Sequence, residues 1–148
     1  MTDICYDIFK DREENIRTKT PFIGRLPFDM ESTYKWNEFM KMMDSHPDSL
    51  YDRNSDKMRI GLNNFHTRGS APEFASNIFS ELQDVFTLHA PKITNIAFSG
   101  FGRSSGSYPW HKDNMDVFLV QVINTVGLKV EGLNNEEPFD FEPGMYVY

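Results

Sequence analysis

From Ile93 onward the chain abandons helical spacing and carries strand patterns cut by turn residues. Ile93 to Phe98 reads as a strand. Residues 99–107 hold three Gly and four Ser and read as a long loop. Asp116 to Ile123 is a dense apolar run, Asn124 to Gly127 a turn, and Leu128 to Val130 a second strand, together a hairpin. Glu142-Pro143-Gly144 is a turn leading into a strand at Met145 to Tyr148.

The earlier residues are mixed. Residues 3–10 alternate and predict an edge strand. Residues 11–19 are charged and predict a turn, and Thr20 to Gly24 a short strand. Ser32 is an N-cap candidate for a helix whose Trp36, Phe39, Met40 and Met43 share one face, ending before Pro47. Residues 47–57 read as polar loop and Met58 to Phe65 as a strand. Ser70 and Glu73 have capping-box spacing, and Phe74, Ile78, Leu82, Val85 and Phe86 follow at helical intervals. Helices ahead of a strand-only half make an α+β order.

The chain has 148 residues, which suits a single domain spanning 1–148. Thirteen Phe, six Tyr and two Trp supply bulky rings that favour sheets and a packed core. No apolar run approaches the roughly 20 residues that span a bilayer. The start, Met1 to Asp11, lacks the basic and small-residue pattern of a secretory leader. One cysteine, Cys5, excludes an internal disulfide framework, so a cytoplasmic setting is expected. The net charge of -7 repels polyanions and argues against a dedicated nucleic-acid binder, while suiting a basic macromolecular substrate.

His111-Lys112-Asp113 is the sharpest local feature. In extended chain, residues two apart face the same way, so an imidazole and a carboxylate in this spacing can address one metal ion. A further histidine from another strand completes a two-His-one-carboxylate triad, which leaves positions open on Fe(II). Taken alone, the tripeptide equally describes a solvated turn or a structural His–Asp pair.

The run from Ile96 to Val130 resembles the Jumonji-type cupin oxygenases, especially the branch that hydroxylates side chains of ribosomal proteins. Five features carry the resemblance, in order. The strand Ile96 to Ser99 is followed by the Gly/Ser loop 100–107. Tyr108-Pro109-Trp110-His111-Lys112-Asp113 stands where that family has its Pro-x-His-x-Asp or Pro-His-x-Asp segment. Asp116 to Val122 is similar to its acidic-Val-Phe-x-x-Gln strand. Gly127-Leu128-Lys129-Val130 is similar to its Gly-x-Lys/Arg-x-Trp strand. Phe141 to Tyr148 resembles its Pro-Gly-Asp-x-Leu-Tyr strand.

The resemblance implies an α+β fold in which N-terminal helices pack on an incomplete double-stranded β-helix, the cupin jelly roll. It implies Fe(II) as cofactor, held by His111 and Asp113, and 2-oxoglutarate as co-substrate. Lys129 takes the place of the residue that holds the co-substrate's distal carboxylate, and Ser99 that of a second contact. It also implies hydroxylation, with a protein side chain as substrate, and little or no turnover from this chain while the third ligand is lacking.

Two departures stand out. The hairpin at Ile123 to Gly127 is longer than the family pattern, which leaves the facing of Lys129 open. The family's third ligand is a histidine just after the strand matched by Pro143 to Tyr148, so the domain is expected to be incomplete at its C-terminal end. His46, His66 and His89 read as structural or surface residues. An incomplete barrel leaves a strand edge exposed, and a homodimer through that edge is expected. The competing readings are a cupin-fold binding or structural protein with a vestigial metal site, and an α+β domain with a chance match.

Overall fold

The computed structural model describes residues 6–37, 49–52, 58–63, 77–78, 80–81, 96–101, 110–114, 116–133 and 137–148. Short helices and three small antiparallel sheets make up these residues, an α+β composition. The described elements are α1 (Glu13–Thr18), β1 (Ile23–Arg25), α2 (Met30–Thr33), β2 (Ser49–Asp52), β3 (Met58–Asn63), β4 (Ile96–Phe101), β5 (Leu119–Val120), β6 (Val126–Leu128), β7 (Phe139–Phe141) and β8 (Met145–Val147).

The best-defined sheet has the order β1-β8-β5. Gly24 lies opposite Tyr146, and Val120 opposite the same tyrosine on the other side. The β1–β8 ladder runs past its formal ends. Tyr148 N donates to Phe22 O at 3.0 Å, Phe22 N to Tyr148 O at 3.2 Å, and Leu26 N to Gly144 O at 2.8 Å. The entry to β8 is a tight turn. Met145 N donates to Glu142 O at 2.9 Å, Pro143 holds the first corner, and Gly144 the second with φ of 84°. That left-handed value at the third residue defines a type II turn, whose sequence signature is Pro followed by Gly. Arg25 braces the turn from β1, donating to Pro143 O at 3.1 Å and pairing with the Glu142 carboxylate.

The core lies against this sheet. Ile8, Phe9, Phe22, Leu26, Met30, Ile78 and Tyr146 are buried together, with Phe28, Phe118, Val120 and Tyr148 packed around them. Its rings interlock: Phe118 stacks on Tyr146 at 5.4 Å between centroids, and Phe9 meets Phe118 at 5.6 Å. Aromatic pairs in these geometries add to the area they bury.

Several elements differ from the expected ones. Residues 8–11 form a turn rather than an edge strand, with Asp7 and Asp11 at φ of 53° and 59°. Aspartate tolerates this left-handed backbone better than most side chains. Residues 13–18 are the helix α1 rather than part of a turn. Glu13 and Glu14 in its first turn and Arg17 in its last suit the helix dipole. Ser32 is inside α2 and not its cap. Asp29 caps it, accepting from Glu31 N at 3.1 Å and Ser32 N at 3.4 Å. Trp36 and Asn37 are helical, and residues 39–43 of the expected helix lie outside the described residues. Asn77, Ile78, Ser80 and Glu81 are helical within the second expected helix.

β2 forms inside the stretch expected to be loop and pairs with β3, which pairs with β4. Of the run Asp116 to Ile123, two residues form the strand β5, and its partner is β8. The expected hairpin therefore does not form as drawn: β6 pairs with β7, Val126 facing Phe141. Strand pairing is settled by long-range partners, which a local apolar run does not name.

Candidate functional site

His111, Lys112 and Asp113 sit in irregular chain ahead of β5. His111 Nε2 stands 3.8 Å from Asp113 Oδ2. Both side chains are about half exposed, at 55% and 49%. Lys112, between them, pairs instead with Glu131 at 3.1 Å. Trp110 precedes the trio and is strongly exposed.

The Lys112–Glu131 pair lays the stretch 110–114 beside the chain that leaves β6. Lys129 is on that chain, exposed, two residues before Glu131. The structure thus brings the stretches carrying His111, Asp113 and Lys129 together. Ser99 lies elsewhere in the pairing scheme: it is in β4, opposite Ile60 of β3, and belongs to a different sheet from β5 and β8. His46, His66 and His89 lie outside the described residues.

Asp116 closes the segment on its other side. Lys19 Nζ donates to Asp116 Oδ1 at 2.8 Å, tying the end of α1 to the start of the β5 segment. That bond, and then the charge of Asp116, raise the pKa of Lys19 above its ordinary value. Tyr148 is close to the same pair. Burial, helped by the Asp116 charge and opposed by Lys19, pushes its phenol up. The partnership of residues 97 apart has no local signal; read alone, Asp116 is simply an acid at the start of a strand.

Neighbouring donors of a facial triad, each about 2.1 Å from the ion, stand about 3 Å apart. The His111–Asp113 separation of 3.8 Å is wider than that, while an imidazole with a carboxylate is a donor set suited to Fe(II). Among the described residues no group of three His, Cys, Asp or Glu side chains is gathered to hold a metal. Of the expected site residues, His111 and Asp113 stand at interaction distance.

A separate open groove of about 480 Å³ is lined by Glu31, Tyr34, Lys35 and Trp36 on one side and by Val122 to Asn124 on the other. None of His111, Asp113 and Lys129 lines it. No helix among the described residues is long and apolar enough to cross a membrane.

Compared with models of protein families, with curated proteins and with solved structures, the chain matches none.

Proposed function

We propose that this chain carries the metal- and co-substrate-binding part of an Fe(II)- and 2-oxoglutarate-dependent oxygenase of the Jumonji-type cupin class, acting on a protein side chain. The observation that carries the proposal is the approach of His111 Nε2 to within 3.8 Å of Asp113 Oδ2, two residues on. Support also comes from the Lys112–Glu131 pair, which brings the Lys129 stretch alongside. In this reading the small antiparallel sheets are parts of a double-stranded β-helix, with the helices packed outside.

His111 offers a neutral nitrogen and Asp113 an anionic oxygen, which together favour a borderline divalent ion over a hard one. Lys129 offers an ammonium group to a carboxylate, a charge-assisted bond. Ser99 is the weaker contact in this assignment, because it stands on another sheet. When bound, Fe(II) with 2-oxoglutarate and O2 supplies the oxidising power for C–H hydroxylation. A homodimer through a sheet edge, in this reading, does not use β8, which has neighbours on both sides.

Anaerobic titration of the full chain with Mn(II), followed by electron paramagnetic resonance, tests the metal assignment. Binding that disappears in His111→Ala and in Asp113→Ala is expected. Equal binding in all three proteins would remove the proposal. Succinate formed from 2-oxoglutarate then separates an enzyme from a binding module.

The second reading is a non-enzymatic module in which His111 and Asp113 are a structural ion pair. Their direct facing at ion-pair distance favours it. It expects no metal-dependent signal and no succinate.

A further inference from the structure

We draw no further inference here: the strongest candidate, the open groove between the end of α2 and the chain that follows β5, walled by Tyr34 and Trp36 on one side and Val122 and Ile123 on the other, carries nothing because nothing in the structure shows what fills it.

Discussion

The phenol of Tyr146 on β8 lies across Gly24 on β1, its cross-strand partner, so closely that a Cβ on Gly24 would come within 2.3 Å of the hydroxyl oxygen. Glycine is here because the ring needs the space, and the ring then reaches Phe22 and Phe118 in the core. Gly24→Ala forces the ring off its seat. A loss of about 1–3 kcal/mol is expected, the scale of an overpacked core. Guanidinium denaturation measures it, and a loss below about 0.5 kcal/mol would contradict this strand register.

Met30, 1% exposed, is the most deeply buried large side chain among the described residues, and Asp29 caps the helix that carries it. Met30→Ala should cost roughly 2–5 kcal/mol through lost burial and the cavity left behind. Asp29→Ala should cost about 1 kcal/mol through lost capping. Thermal and chemical unfolding of the two variants should preserve that ranking.

His111 and Asp113 are about half exposed, and neither belongs to the buried core. His111→Ala and Asp113→Ala should therefore leave stability within about 0.5 kcal/mol of the parent. Loss of metal binding without loss of stability, measured on the same samples, separates a binding role from a structural one.

Burial raises the phenol pKa of Tyr146; the Glu81 charge adds to this and Arg12 opposes it. Burial raises that of Tyr148 as well. A group that holds its proton more tightly when folded contributes stability that is intact below its unfolded pKa and lost as pH climbs through the folded one. For these phenols the window opens near the ordinary value of 10.0 and extends upward. Stability should fall on raising the pH above about 10. Absorbance titration of tyrosinate should show two late-titrating phenols, and Tyr146→Phe should remove one of them and soften the alkaline loss.

Turn chemistry was the most readable part of the chain. Pro143-Gly144 states its type II geometry in two residues, because the proline ring presets one φ and glycine alone enters the next without strain. β1 and β8 were legible for a related reason: short apolar stretches bounded by such turns have few alternatives. The described part of the segment 3–10, residues 6–10, misled, since its alternation is that of a strand. Its N–H groups found a buried carboxylate instead of a neighbouring strand. The capping aspartate was missed because Ser32 is also a good N-cap residue, and choosing between them depends on where the chain bends. In the candidate site, His111 and Asp113 are two residues apart and their side chains stand 3.8 Å from each other. The placing of Lys129 and Ser99 did not follow from the sequence: Lys129 lies just past the end of β6, and Ser99 sits on β4, whose partner β3 is distant in sequence.

Local chemistry thus determined the turn at Glu142 to Met145, the strand after it, the apolar residues available for a core and the approach of His111 to Asp113. These depend on backbone geometry within a few residues. The tertiary structure alone decided that β8 lies between β1 and β5, that β6 pairs with β7, that Glu81 holds the N-terminal turn, and that Lys19 meets Asp116. Each joins groups far apart along the chain, where closing the intervening loop is worthwhile only if the whole core forms around it.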